Sequence, residues 1–252
     1  MLHLGLPTIS LGVLSCSFLT SISLFAAPQR PMVLAGPDTP LFGDVIESRY
    51  LMRADDTLSE IQLKIPMAEI EDAIRHPSKV IDFDLPDSVR GGSLIQHVSI
   101  DWNRHGHDPE KVYGKPHFDF HFFFVDGAKV ASINCSDQTA IPEELVPAGY
   151  VLPPLDAPDS CVPNMGYHAV PVADLQPSHA FTETPIYGYY QGQFIFFEPM
   201  MTREFLMQGK SINYPIQYPA SFLKQSKKMF MPTLFKMEFS PKEDAYRITL
   251  GY

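Results

Sequence analysis

The chain has 252 residues, of which 45% are hydrophobic and 19% charged, and this composition excludes a wholly disordered protein because such chains are charge-rich and poor in apolar residues. The 29 Asp and Glu residues outnumber the 19 Lys and Arg residues, and the net charge of −10 argues against general nucleic-acid binding, which needs clustered Lys and Arg. The 24 prolines and an aromatic content of 12% favour a protein of strands and loops over a helical bundle.

The N-terminus predicts an exported protein. Residues 1–29 contain no Asp, Glu, Lys or Arg, and an apolar run over residues 11–27 ends in Ala26 and Ala27. This pattern is typical of a secretory signal peptide, here residues 1–27, and it predicts a periplasmic or extracellular location for residues 28–252. A membrane anchor is an alternative, either a transmembrane segment or a lipid on Cys16, because the residues before Cys16 resemble a lipoprotein box.

Removal of such a signal peptide leaves two cysteines, Cys135 and Cys161. An even pair of cysteines in an oxidising compartment predicts one disulfide bond. The segment between them is rich in proline, which neither helices nor central strands accommodate, so a covalent link is a reasonable way to hold it. The alternative is a pair of buried free thiols.

Residues 28–252 predict a single α+β domain that is mainly β, with a few short helices and with antiparallel sheets arranged as a barrel or a sandwich. Alternation, apolar runs and turn residues predict strands over residues 42–53, 57–65, 93–102, 117–125, 129–134, 185–190, 193–198, 233–239 and 246–250. Helical spacing and capping residues predict short helices over residues 67–74, 203–207 and 220–227. Thr202 is the expected N-cap of the second of these helices.

Histidine is concentrated in one part of the chain. Five of the nine histidines lie in a short window: His97, His105, His107, His117 and His121. Because side chains alternate along a strand, the segment PHFDFHFFF places four phenylalanines on one face and His117, Asp119 and His121 on the other. The phenylalanine face belongs to the core, which leaves two imidazoles and a carboxylate in a row on the opposite face.

Spacing limits how these histidines can share an ion. Residues four apart on a strand are about 13 Å apart, so His117 and His121 could barely reach one ion, whereas residues two apart do so easily. His105 and His107 have the easier spacing, with Gly106 between them. We therefore predict one centre that combines His105 and His107 with His117 or His121, and with Asp119 as a ligand or as a brace for a ligating imidazole.

Two later residues are candidates to complete this set. His168 follows Cys161 closely, and Glu198 ends the apolar strand FIFF, where a carboxylate has to be paired, protonated or bound to a cation. Imidazole and carboxylate ligands predict a divalent transition metal, namely zinc, iron, copper or nickel. The alternative is a polar loop and a water-facing strand that bind nothing.

Three blocks of the sequence carry a family resemblance: HVSIDWNRHGHDPEKVYGKPHFDFHFFF, MGYH and IYGYYQGQFIFFEPMMTREFL. They resemble the signature blocks of an uncharacterised bacterial family of exported proteins, typed by a Thermus protein under sigma-E control. The similarity covers roughly residues 40–225. It implies an exported β-rich domain that can form a homo-oligomer, and it implies no reaction.

Three classes of function follow from these observations. The first is an exported protein whose His and Asp face binds a metal ion or a small molecule. The second is a metal-dependent enzyme, such as a hydrolase, a lyase or an oxygenase, with one open coordination position. The third is a structural or assembly module in which the histidines are surface residues.

Overall fold

The computed structural model describes residues 32–226 and 230–252. The predicted signal peptide, residues 1–27, and the predicted alternative lipid site at Cys16 lie outside the described residues. Within the described part of the chain, no helix combines the length and the apolar character needed to cross a membrane.

The described residues form mainly short and medium-length strands. In chain order these are β1 (Met32–Ala35), β2 (Thr39–Pro40), β3 (Val45–Met52), β4 (Leu58–Pro66), β5 (Lys79–Phe83), β6 (His97–Asn103), β7 (His117–Phe123), β8 (Tyr150–Val151), β9 (Cys161–Val162), β10 (Gly166–Pro171), β11 (Glu183–Tyr190), β12 (Gln193–Thr202), β13 (Ile212–Pro215), β14 (Leu234–Ser240) and β15 (Ala245–Gly251). The helices are α1 (Met67–Asp72), α2 (Asp87–Arg90), α3 (Glu110–Tyr113), α4 (Gly127–Ala131), α5 (Arg203–Leu206) and α6 (Ala220–Gln225). Short 3-10 turns cover Ala73–Arg75, Glu143–Leu145 and Val172–Leu175. The fold is therefore mainly β with short helices, as predicted.

The strands form two antiparallel sheets. The first sheet has the order β1-β3-β4-β15-β14-β13, with β2 paired to β3. The second has the order β5-β6-β7-β12-β11-β10-β8, with β9 paired to β10. Both sheets remain open, which decides between the two predicted arrangements in favour of a sandwich.

The core lies between the two sheets and explains the alternation in β7. Phe118, Phe120 and Phe122 are each about 1% exposed and point into this core. The rings of Phe122 and Phe197 from the second sheet pack against Phe235 of the first sheet, at centroid distances of 6.4 and 6.0 Å. Burial of these rings fixes which face of β7 is turned toward the opposite sheet.

The other face of the second sheet is also covered. A second apolar cluster forms there from Tyr113, Phe181, Ile186 and Met200. Tyr113 comes from α3 and Phe181 from the loop before β11, and their rings contact each other at 5.1 Å. We call residues 104–116 and 172–182 the cover, because they shield the face of β7 that carries the histidines.

The predicted disulfide is confirmed. Cys135 and Cys161 are bonded, with their Cα atoms 5.7 Å apart. β9, which begins at Cys161, pairs with β10 through Tyr167 opposite Cys161. The link therefore attaches the proline-rich loop to the edge of the second sheet.

Replacement of both Cys135 and Cys161 with Ala is expected to lower the free energy of unfolding by about 3 to 4 kcal/mol, because the link closes a loop with a sequence separation of 26 in the unfolded chain. Urea unfolding of the double variant and of the oxidised wild type measures this difference. Reduction of the wild type should reproduce the same loss, and equal midpoints in all three samples would contradict the prediction.

Some predicted elements were placed correctly and one was wrong. The hairpin about Gln191 and Gly192 joins β11 and β12, and the Thr202 hydroxyl accepts a hydrogen bond from the Phe205 N–H at the start of α5. The strand predicted over residues 129–134 is instead α4. Its first turn is stabilised by the Asp126 carboxylate, which accepts a hydrogen bond from the Lys129 N–H at 2.8 Å.

Candidate metal centre

Acidic and imidazole side chains from neighbouring strands meet on the covered face of the second sheet. In the β6–β7 register, Asp101 lies opposite Asp119 and Ser99 lies opposite His121. The β12–β7 register pairs Met200 with Asp119, which places Glu198 beside His121. His117 and His121 are fully buried, and Asp119 and Glu198 are each 2% exposed. These four side chains therefore lie inside the protein and not on a water-facing sheet.

The first group consists of His107, His117 and Asp119, and its ligand atoms all lie within 4.8 Å of one another. The Nε2 atom of His117 is 3.1 Å from Asp119 Oδ1, and that of His107 is 3.5 Å from Asp119 Oδ2. Asn103 also donates a hydrogen bond to Asp119 Oδ2 at 2.6 Å. His107 is the most open member, with its side chain 35% exposed.

The second group consists of His121, His168 and Glu198, with ligand atoms inside the same 4.8 Å limit. The Nε2 atom of His121 is 3.3 Å from Glu198 Oε1, and that of His168 is 3.6 Å from Glu198 Oε2. The Nδ1 atom of His121 faces Asp101 at 3.7 Å, and Ser99 donates a hydrogen bond to Asp101. His168 comes from β10, so the group extends across the sheet from β7.

The two imidazole rings of the first group are oriented so that Nε2 is the nitrogen left to bind a metal. His107 Nδ1 is 2.8 Å from the Asp108 carbonyl oxygen, and His117 Nδ1 is 2.6 Å from that of Lys115. Because a carbonyl oxygen only accepts, Nδ1 is the donor in both rings, and the neutral imidazole then has its lone pair on Nε2. Metal-ligating histidines are held in this way by an acceptor on the other nitrogen.

Several of the buried nitrogen and oxygen atoms that could bind a metal approach each other without forming hydrogen bonds. Within the described residues, Nε2 of His117, Oδ1 of Asp119, Nε2 of His121 and Oε2 of Glu198 have no hydrogen-bond partner. The nitrogen–oxygen distances in the two groups run from 3.1 to 3.6 Å. Two ligand atoms bound to one ion at about 2.1 Å are separated by about 3.0 to 3.5 Å, so these nitrogen–oxygen pairs lie close to the spacing of two ligands on one ion.

In the first group, the carboxylate and the imidazoles shift one another's pKa values. Burial by itself lowers the pKa of His107, but the Asp119 carboxylate more than offsets this and raises the pKa of His107 to about 9. Burial by itself would raise the pKa of Asp119, and His117 and His107 nevertheless hold it well below its usual range.

The pKa values of the second group are also shifted by burial and by neighbouring charges. Burial opposes protonation of His121, yet Glu198 and Asp101 raise its pKa well above the usual value. Burial, with repulsion from His121 and His107, lowers the pKa of His168 to about 3. Burial raises the pKa of Glu198, partly opposed by His121. A bound cation would supply the positive charge that these carboxylates otherwise draw from protonated imidazoles.

The prediction of one centre that includes His105 is corrected. His105 is exposed and belongs to neither group, while His107 is turned inward. Gly106 between them has a φ of 71°, and a Cβ there would lie 2.3 Å from the Tyr113 carbonyl oxygen. The backbone therefore turns so sharply at Gly106 that its two neighbours do not face the same ion. The remaining predicted residues divide between the two groups.

A glycine makes room for the second group. Gly188 lies opposite both His168 and Phe196, and a Cβ at this position would lie 1.8 Å from the Phe196 ring. The ring of Phe196 contacts His121 and His168 at centroid distances of 5.3 and 5.2 Å. The missing side chain of Gly188 therefore lets this ring pack between the two histidines.

The substitution Gly188→Ala is expected to cost about 1 to 3 kcal/mol of stability, because the Phe196 ring has to move in a packed site. Gly92→Ala is the matched control, since a Cβ at Gly92 would meet no atom within 4 Å. Thermal unfolding of both variants measures the difference. An equal melting temperature for the two variants would show that the ring can move freely.

Other residues of the site were not singled out from the sequence. Asp101 lies beside His121, and Asn103 is bonded to Asp119. Their signal was the polar face of the strand before the HGH loop, where Ser99 and Asp101 alternate with apolar residues. Phe181 packs against His117 at 5.2 Å, and nothing in the local sequence marks this contact.

Comparisons with known proteins identify no relative. No protein-family model, no curated protein and no solved structure matches this chain. The family resemblance of the three sequence blocks therefore stays a prediction. The clusters of His, Asp and Glu are compatible with a metal site, and their chemistry is the basis for assigning a function.

Proposed function

We propose that this chain is an exported metal-binding protein that holds a divalent transition-metal ion at His107, His117 and Asp119. The observation that carries the proposal is the 3.1 Å approach of His117 Nε2 to Asp119 Oδ1 without a hydrogen bond, between two side chains that are at most 3% exposed. Zinc, iron, copper and nickel all accept two imidazoles and a carboxylate.

Burial supports binding over a site-free structural module. That alternative requires histidines at the surface, whereas His117 and His121 are 0% exposed. Buried imidazoles and carboxylates are costly unless they are paired or bound to a cation. The open side of His107 offers a route by which an ion can enter.

The test is a zinc titration of the untagged, chelator-treated protein, followed by elemental analysis. Wild type is expected to retain stoichiometric zinc after dialysis, and His107→Ala is expected to lose the ion at this group. His105→Ala is the matched control, because it removes a histidine from the same loop but outside both groups. Equal zinc retention in the two variants, or none in the wild type, would refute the assignment.

A metal-dependent enzyme is the second candidate, and one observation favours it. The first group supplies three ligand residues, as catalytic zinc sites do, whereas structural zinc sites usually have four. Hydrolysis of p-nitrophenyl acetate and p-nitrophenyl phosphate, with and without zinc, tests for a hydrolase. A zinc-dependent rate in the wild type that disappears in His107→Ala would support the enzyme. Equal rates in His107→Ala and His105→Ala would count against it.

Export and assembly complete the proposal. The disulfide between Cys135 and Cys161 is compatible with a periplasmic or extracellular location, because such bonds persist in oxidising compartments. The expected homo-oligomer rests on the family resemblance alone, and sedimentation velocity of the purified protein measures it.

A further inference from the structure

We infer that His121, His168 and Glu198 bind a second divalent transition-metal ion, so that β7 supplies ligands to two neighbouring ions. This inference extends the proposed function, on which it rests for the first ion. The second ion would be bound by two imidazoles and a carboxylate from β7, β10 and β12.

The distances favour two ions over one shared ion. His117 and His121 are four residues apart on β7, about 13 Å along an extended strand, which is near the limit for two imidazoles on one ion. The contacts also divide cleanly. Asp119 lies within 3.5 Å of His107 and His117, while Glu198 lies within 3.6 Å of His121 and His168.

The second group has its own buried ligand atoms without hydrogen-bond partners. Among the described residues, neither ring nitrogen of His121 has a hydrogen-bond partner, and neither does Oε2 of Glu198. Both side chains are almost completely buried. A fully buried ring with both nitrogens free and a carboxylate 3.3 Å away is an arrangement that an ion stabilises directly.

Charge balance points the same way. Asp101, Asp119 and Glu198 are buried carboxylates on β6, β7 and β12, which are adjacent strands. One divalent ion at the first group would compensate the charge of Asp119 but would not contact Glu198. A second ion there supplies the compensation, and the Asp101 carboxylate faces the Nδ1 side of its His121 ligand.

Zinc stoichiometry in matched variants tests this inference. Untagged, chelator-treated protein is dialysed against excess zinc and then against buffer, and the zinc is counted per chain. Wild type and His105→Ala are expected to hold two ions, and His107→Ala and His168→Ala one ion each. His168→Gln, which keeps most of the side-chain volume, replaces His168→Ala if the latter does not fold.

The outcomes separate the two proposals. One ion in the wild type that survives His168→Ala but not His107→Ala would overturn the second site and leave the first. If the wild type holds one ion and each of the two substitutions removes it, the inference is overturned in favour of a single shared centre. No zinc in the wild type would overturn both proposals.

Discussion

Saturation of the metal-free protein with zinc is expected to raise its melting temperature, and the double substitution His107→Ala and His121→Ala is expected to abolish this rise. An ion that binds only the folded chain stabilises it by about 2.7 kcal/mol when its free concentration is 100 times Kd. For a chain of this size, that corresponds to a rise of roughly 5 to 10 °C for each ion bound. The double variant removes one ligand from each group.

The matched control is the double substitution His76→Ala and His105→Ala, because neither histidine belongs to a group. Differential scanning calorimetry in chelator and in zinc gives the shift for all three proteins. The control is expected to keep the full shift. A zinc-induced shift of the same size in the His107→Ala and His121→Ala variant would assign the stabilisation to some other part of the chain.

The substitution Phe120→Ala is expected to lower the free energy of unfolding by about 3 to 5 kcal/mol, because it leaves a cavity in the core between the sheets. Phe120 is 1% exposed and lies between Asp119 and His121 in the sequence, yet it points to the opposite face of β7. The metal ligands are therefore untouched by this change.

Val80→Ala on the edge strand β5 is the control, because Val80 is 58% exposed and should change stability by less than about 0.5 kcal/mol. Urea unfolding of metal-free samples gives the two values. Zinc stoichiometry of folded Phe120→Ala is expected to equal that of the wild type. A loss of zinc in folded Phe120→Ala would mean that the phenylalanine face and the histidine face are not separable.

Features with a local signal were predictable from the sequence. The alternation in PHFDFHFFF assigned Phe118 and Phe120 to the core and His117 and Asp119 to the other face, because strand geometry allows no other division. The turn residues Gln191 and Gly192 located a hairpin, and the two cysteines of the predicted mature chain located a disulfide. The alternation and the hairpin depend on residues that are close in sequence, and the predicted mature chain offers one possible pair of cysteines.

Features that depend on long-range register were not predictable. The sequence named His168 and Glu198 as candidates, but their meeting with His121 depends on the order β7-β12-β11-β10 within the sheet. The same register divides the ligands into two groups, whereas the sequence suggested one. His105 was misplaced because the chain turns at Gly106 with a φ of 71° and passes so close to the backbone of Tyr113 and Gly114 that no side chain would fit there, which a local sequence pattern does not reveal.

Anomalous X-ray diffraction at the zinc edge, from crystals of the untagged protein grown with zinc, tests the proposed metal site most directly. A peak is expected about 2.0 to 2.2 Å from Nε2 of His107, from Nε2 of His117 and from a carboxylate oxygen of Asp119. A map without a peak at this position, with His117 Nε2 instead hydrogen-bonded to Asp119, would contradict metal binding at the first group.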